Sequence, residues 1–216
     1  MSGVEVTSLD GAELRRVSVS SMDNNAYLLT CGTTGAQLLV DAADDAPTLL
    51  RMVEHGSPDS EGGRLDLVVT THQHWDHHRA LREVVAATGA RTAAGEEDAD
   101  ALPVPVDDRL RQGDKVRVGD LVLDVVHLRG HTPGSVALAW KDGSGTTHLF
   151  TGDSLFPGGV GNTQHDARRF RSLLDDVEQR IFDVYPDSTV VYPGHGKGTT
   201  LGAERPHLGE WRQRGW

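Results

Sequence analysis

The sequence predicts an α+β fold in which helices cover two β-sheets. Runs of apolar and β-branched residues recur along the 216 residues, and Gly, Pro and Asp separate them. Strands come in groups with helices between some of them, so neither a regular βαβ repeat nor an all-β pattern fits. Two sheets with helices on their outer faces satisfy this order, because every element then buries its apolar side.

Eight strands are predicted from short apolar runs that end at turn residues. They cover residues 14–19, 26–31, 37–41, 65–70, 121–128, 135–140, 148–152 and 189–192. The pieces 56–63 and 141–145 are rich in Gly, Ser and Asp and are interpreted as surface turns rather than domain linkers. The whole chain, 1–216, is therefore predicted to be one domain.

Four helices are predicted, over residues 47–55, 76–88, 166–182 and 205–212. The third has the clearest pattern, because its apolar residues recur at three- and four-residue spacing and so share one face. These residues are Phe170, Leu173, Leu174, Val177 and Ile181. The ending 211–216 predicts a docked helix followed by a loose tail. A role of one of its tryptophans in a homodimer interface is the alternative.

Charge and composition exclude several classes of partner. The chain has 32 acidic and 21 basic residues, a net charge of −11, which argues against nucleic acid and against an anionic membrane surface. No apolar run approaches the ~18 residues of a membrane-spanning helix. The acidic balance therefore favours a small-molecule substrate. The start of the chain lacks a signal-peptide pattern, and Cys31 is the single cysteine, so we expect the protein in a reducing cytoplasm.

The strongest motif is T-T-H-Q-H-W-D-H at residues 70–77, where a predicted strand meets a predicted helix. His72 and His74 are two residues apart and can face one cation in an extended turn. Asp76 and His77 lie in the next turn and can face a second cation. Imidazole and carboxylate groups together suit zinc, iron or manganese. The alternative is a row of surface histidines before a helix, with Asp76 as an N-terminal charge.

Three further motifs each place one potential metal ligand just beyond the end of a predicted strand. They are G-H-T-P-G-S around His131, T-G-D-S-L-F around Asp153 and P-G-H-G around His195. Each could be an ordinary turn when taken alone. Together with His72 they put four potential ligands at strand ends, where functional loops commonly sit over a rigid scaffold.

Taken in this order, the four motifs resemble the metallo-β-lactamase fold superfamily, in particular its glyoxalase II-like branch. The resemblance implies a four-layer αβ/βα sandwich with the site on one edge. It implies that His72, His74 and His131 hold a first metal and that Asp153 bridges two metals. It further implies that the second metal is held by Asp76, His77 and His195.

The resemblance also covers residues outside the metal motifs. Asp41, at a strand end, would orient a ligand imidazole from behind. Asn162 stands where the glyoxalase II pattern has a basic residue in the loop after the bridging aspartate. The arginines 168, 169 and 171 are interpreted as solvated charge in preference to an anion clamp, and the acidic stretch 96–100 is interpreted as solvated.

The predicted function is hydrolysis of a thioester or related acyl bond by a dinuclear metal enzyme similar to hydroxyacylglutathione hydrolase. A hydroxide shared by two divalent ions, with zinc expected first and iron or manganese as alternatives, would attack the carbonyl carbon. Asp76 would act as the catalytic proton acceptor.

Two alternatives remain open at this stage. One is an iron oxidoreductase similar to persulfide dioxygenases, against which the complete second ligand set weighs. The other is a hydrolase similar to lactonases or β-lactamases, although common zinc lactamases have Cys where this chain has Asp153.

Overall fold

The computed structural model describes residues 3–56 and 64–215. In these ranges seven strands form a first sheet in chain order. They are β1 (Val4–Leu9), β2 (Ala12–Val19), β3 (Asn24–Cys31), β4 (Gln37–Val40), β5 (Leu65–Thr70), β6 (Arg91–Gly95) and β7 (Asp108–Leu110). The pairs from β1 to β4 are antiparallel, whereas β4 to β7 are parallel to one another.

A second sheet has six strands within the same described ranges, in the order β15-β14-β11-β10-β9-β8. They are β8 (Lys115–Val118), β9 (Leu121–His127), β10 (Val136–Lys141), β11 (Thr147–Gly152), β14 (Val190–Pro193) and β15 (Thr199–Thr200). A small hairpin of β12 (Leu155–Phe156) and β13 (Gly159–Val160) follows β11. Because β11 and β14 pair in parallel, their carboxyl ends lie side by side.

The helices are α1 (Ala46–His55), α2 (Leu81–Thr88), α3 (Ala167–Val177), α4 (Leu201–Glu204) and α5 (Leu208–Arg214). A π-helical turn, Glu178–Phe182, extends α3, and 3₁₀ turns cover Trp75–His77, Ala99–Ala101 and Arg205–His207. None of these helices combines the length and apolar character needed to span a bilayer, within the part of the chain that the structure describes.

Successive side chains of a strand point to opposite faces of its sheet, so the buried apolar residues form three layers. Leu29 and Leu38 point between the two sheets, whereas their neighbours Leu28 and Leu39 point outward against α1 and α2. On the second sheet, Phe150 faces inward, whereas Leu149 faces outward and packs against α3 and α5. Helices therefore cover the outer face of each sheet, and the predicted α+β four-layer αβ/βα sandwich is confirmed.

All eight predicted strands and the amphipathic helix are present, with shifts of one or two residues at their ends. The five apolar residues predicted to share a face of the third helix are all buried. Trp211 is buried against the second sheet, as a docked final helix requires. Residues 57–63 of the predicted surface turn and the final residue of the predicted tail lie outside the described residues.

The predicted helix over 76–88 was wrong in its first half. Asp76 and His77 lie in the 3₁₀ turn, and the α-helix begins only at Leu81. The backbone N–H groups of Arg79 and Ala80 instead donate to the carbonyl oxygens of Ala43 and Ala42. These bonds remove two donors that a continuous helix would need, and they anchor the motif loop to the end of β4.

Candidate metal centre

The seven side chains predicted as metal ligands converge at one edge of the sandwich. They follow the carboxyl ends of β5, β9, β11 and β14, or lie in the 3₁₀ turn after β5. Their donor atoms form three overlapping groups in which all members lie within 4.8 Å of one another. These groups are His72, His74 and His131; His72, His77 and Asp153; and Asp76, His77 and His195.

The first triad consists of His72, His74 and His131. Its imidazole rings lie 4.5–4.8 Å apart between centroids, each pair close to perpendicular. His72 and His131 are buried, whereas His74 is partly exposed and lines an adjoining open pocket. Three nitrogen donors with one open side are the arrangement of a catalytic rather than a closed structural metal site.

Asp153 lies between the first triad and the second, which consists of Asp76, His77 and His195. Its Oδ2 atom is 3.6 Å from Nε2 of His131 and 3.4 Å from Nε2 of His195. Its Oδ1 atom is 3.3 Å from Nε2 of His77. One carboxylate therefore faces both triads, which is the placement that a bridging ligand requires.

Neighbouring groups fix which ring nitrogen of four histidines faces the centre. Nδ1 of His131 donates to the carbonyl oxygen of Asn162 at 2.8 Å, and Nδ1 of His195 donates to that of Met22 at 2.8 Å. Since a carbonyl oxygen only accepts, the proton of each neutral ring must be on Nδ1. The lone pair of Nε2 is then directed at the cluster, as metal coordination requires.

Asp41 and Thr71 impose the same orientation on the other two rings. Thr71 donates its hydroxyl to Oδ2 of Asp41 at 2.8 Å, so its oxygen can accept from Nδ1 of His72 at 3.0 Å. The same Oδ2 atom lies 2.9 Å from Nδ1 of His77. The structure thus places Asp41 behind a candidate ligand, where the sequence predicted it.

Two local observations fit the presence of cations. Within the described residues, Nε2 of His72 and Nε2 of His131 are buried and have no hydrogen-bond partner. Nε2 of His77 and Nε2 of His195 lie 3.2 Å apart, although the Nδ1 contacts of both rings favour a bare lone pair at each. Such an arrangement is costly unless a proton or a metal ion lies against these lone pairs.

The protein environment shifts the pKa values of the histidines of the two triads in opposite directions. Burial lowers the pKa of His131 to about 4 and also lowers those of His72 and His74. Burial acts in the same sense on His77, but hydrogen bonds to Asp153 and Asp41 outweigh it and raise its pKa to about 10. The first triad is therefore neutral over the physiological range, whereas the second holds a proton that a cation would displace.

Asn24 and Asp98 support the cluster, and sequence reasoning assigned neither this role. Nδ2 of Asn24 donates to Oδ2 of Asp76 at 2.9 Å. Asp98 is fully buried and accepts hydrogen bonds from the backbone N–H groups of Gln73 at 3.0 Å and Gly134 at 2.7 Å. It therefore joins the loop of His72 and His74 to the loop of His131.

Two interpretations of charged residues need correction. The acidic stretch 96–100 is not solvated throughout, because Asp98 is buried and accepts the two backbone hydrogen bonds from Gln73 and Gly134. The arginines at the start of α3 are not all solvated either. Arg169 donates to the carbonyl oxygens of Gly130 at 2.8 Å and of His131. Charge patterning cannot detect such pairings, since the partners are distant in sequence.

The sequence profile described as the metallo-beta-lactamase superfamily matches residues 22–195, which include every candidate ligand. The chain belongs to this superfamily. The matched segment begins just before β3 and ends at His195, so it includes all the strand ends and loops that carry the cluster.

Two comparisons place the chain within the superfamily. A protein named hydroxyacylglutathione hydrolase from Cereibacter sphaeroides (strain ATCC 17029 / ATH 2.4.9) is 36% identical over 175 residues, which are 80% of this chain and 62% of the relative. The crystal structure of ETHE1 from Myxococcus xanthus superposes with a TM-score of 0.78 and 28% identity, over 93% of this chain and 84% of that one.

A third relative is more similar over a shorter segment. The hydroxyacylglutathione hydrolase of Fuscovulum blasticum is 40% identical over 139 residues, which are 64% of this chain and 51% of the relative. The chain therefore spans between half and two thirds of the length of these two hydrolases.

Proposed function

We propose that this superfamily member is a metal-dependent hydrolase that cleaves a thioester or a related acyl bond in a small molecule. The observation that carries the proposal is the single carboxylate of Asp153 between two three-residue sets of nitrogen and oxygen donors. The relatives named hydroxyacylglutathione hydrolase support the thioester class.

Two divalent ions would suit this donor set, with the ligands divided between them as the family resemblance implies. His72, His74 and His131 would hold the first, Asp76, His77 and His195 the second, and Asp153 would contact both. Bound divalent cations would supply a nucleophile at neutral pH by lowering the pKa of water, and they would polarise the substrate carbonyl. Zinc is the first choice, and iron and manganese accept the same mixed donors.

Asp76 is the proposed proton acceptor of the reaction. Burial opposes ionisation, but the hydrogen bond from Asn24 and the proximity of His77 hold the pKa of Asp76 below its usual value. The carboxylate is therefore charged at neutral pH and could receive the proton of the attacking hydroxide as the tetrahedral intermediate of the substrate forms. A thiolate leaves as an anion, so a thioester needs no general acid, and none is assigned.

Elemental analysis combined with a substrate screen tests the proposal. The purified chain should contain zinc, iron or manganese and should release thiol from at least one of S-lactoylglutathione and simple acyl thioesters. Lactones and β-lactams complete the screen, and His72→Ala is the inactive control. Full activity in a thoroughly metal-stripped sample, or fully loaded protein that cleaves no acyl bond, would contradict it.

The likeness to ETHE1 supports a second candidate, an iron oxidoreductase similar to persulfide dioxygenases. That reaction needs one iron, whereas this chain presents two complete triads. Oxygen uptake with glutathione persulfide by the iron-loaded protein, without thioester cleavage, would favour this candidate over the hydrolase.

A further inference from the structure

A cleft of about 640 Å³ lies directly beside the first triad. His74 and His131 form part of its wall, and Arg129, Arg168 and Arg169 contribute the charged side chains. Among the described residues, none of the side chains lining it is acidic, although the chain as a whole carries a net charge of −11. The charged side chains that line the cleft next to the candidate reaction centre are thus all basic, although the charge of Arg129 is balanced by Asp176.

Two of the three arginines are engaged within the protein. Arg129 binds the buried carboxylate of Asp176 through Nε at 2.8 Å and Nη2 at 2.7 Å. Arg169 donates to the carbonyl oxygens of Gly130 and His131 and so holds the loop that carries His131. Their positions are explained by these contacts, without reference to a ligand.

Arg168 is not explained in this way. It is exposed, and within ranges 3–56 and 64–215 its guanidinium makes no hydrogen bond or ion pair. The carboxylate of Asp166 interacts with its charge at a distance but caps the helix through the backbone N–H groups of residues 168 and 169. A cation in the first turn of a helix opposes the helix dipole, so helix stability does not favour arginine there.

We propose that Arg168 is a specificity-determining residue that binds a carboxylate on the leaving-group half of the substrate. This inference rests on the proposed function and specifies its substrate class as an anionic thioester. The planar guanidinium can bind a carboxylate through two parallel hydrogen bonds. The cleft volume falls in the range of sites for drug-sized molecules, so it suits the larger thiol-bearing half of a thioester rather than a short acyl group.

The proposal predicts a charge-dependent effect on KM. Arg168→Gln should raise KM for S-lactoylglutathione about fivefold, which is the size of an exposed ion pair, and leave kcat unchanged. The diethyl ester of S-lactoylglutathione, which lacks both carboxylates, should show no change. Arg168→Lys should restore part of the loss. Arg171→Gln is the matched control, because Arg171 is exposed on the same helix but does not line this cleft.

A binding measurement tests the inference independently of turnover. S-methylglutathione carries the same carboxylates and has no acyl bond, so its Kd can be measured by calorimetry in the metal-loaded protein. Arg168→Gln should weaken its binding about fivefold, and added salt should remove most of this difference. Equal Kd values in the two proteins, or no binding to either, would overturn the role of Arg168. Absence of all acyl hydrolysis with normal S-methylglutathione binding would instead contradict the proposed function.

Discussion

Oδ2 of Asp41 lies 2.9 Å from Nδ1 of His77, although the two residues are 36 positions apart. The aspartate is buried, has a φ of 60°, and also accepts hydrogen bonds from the backbone N–H and the hydroxyl of Thr71. One carboxylate therefore sets the orientation of a candidate ligand of the second triad and anchors the residue that precedes His72.

Asp41→Asn should weaken cation binding at the second triad about 10–100-fold. Asparagine tolerates the left-handed backbone, so the substitution changes the acceptor while retaining the turn. Competitive titration with a chelator would measure the change. Asp44→Asn is the control, because Asp44 pairs with Arg79 near the surface. Unchanged affinity in Asp41→Asn would show that the contact does not orient the ligand.

Asp153→Ala should reduce metal content at both triads, because its carboxylate faces both. His72→Ala should mainly affect the first. Both variants should lose metal-dependent turnover and keep the far-ultraviolet circular dichroism of the native fold. Elemental analysis with activity measurements would check this, and a fully active Asp153→Ala protein would exclude the shared-ligand arrangement.

The second triad should lose its cation first as pH falls. In the metal-free protein the pKa of His77 is raised to about 10, so a cation must displace a proton there at neutral pH, and each further drop in pH favours that proton. The pKa of His131 is lowered to about 4, so the first triad competes with protons only near that pH. Metal stoichiometry measured from pH 8 to pH 4 should fall in two steps, whereas a single step would contradict the prediction.

Asp98→Ala should destabilise the metal-free protein by about 2–3 kcal/mol. The substitution leaves the backbone N–H groups of Gln73 and Gly134 without their buried acceptor, and lost bonds to a charged group are costly. Urea unfolding would measure the change. Asp100→Ala, at an exposed position of the same segment, should have little effect. A similar loss of unfolding free energy in both variants would mean that the destabilisation does not come from uncoupling the two loops.

The candidate ligands could be predicted from sequence because each lies within a short motif whose turn residues place it at a strand end. The supporting residues could not, since their roles arise from contacts over long separations, such as Asp98 with Gly134 and Asn24 with Asp76. Strand β6 was missed because R-T-A-A-G has little β-branched or aromatic content, and its pairing with β5 supplies the missing preference. The single-domain organisation stays a prediction.

The parallel pairing of β11 with β14 has a consequence for how this scaffold can diversify. It places Asp153 and His195 next to each other beyond two adjacent strand ends, while the hairpin and α3 are inserted between them in the chain. That inserted segment carries Arg168 at an exposed position, whereas its Asn162 and Arg169 hold His131 and its loop. New substrate preferences could therefore be acquired by substitutions at exposed positions of the segment, with the candidate ligands left in place.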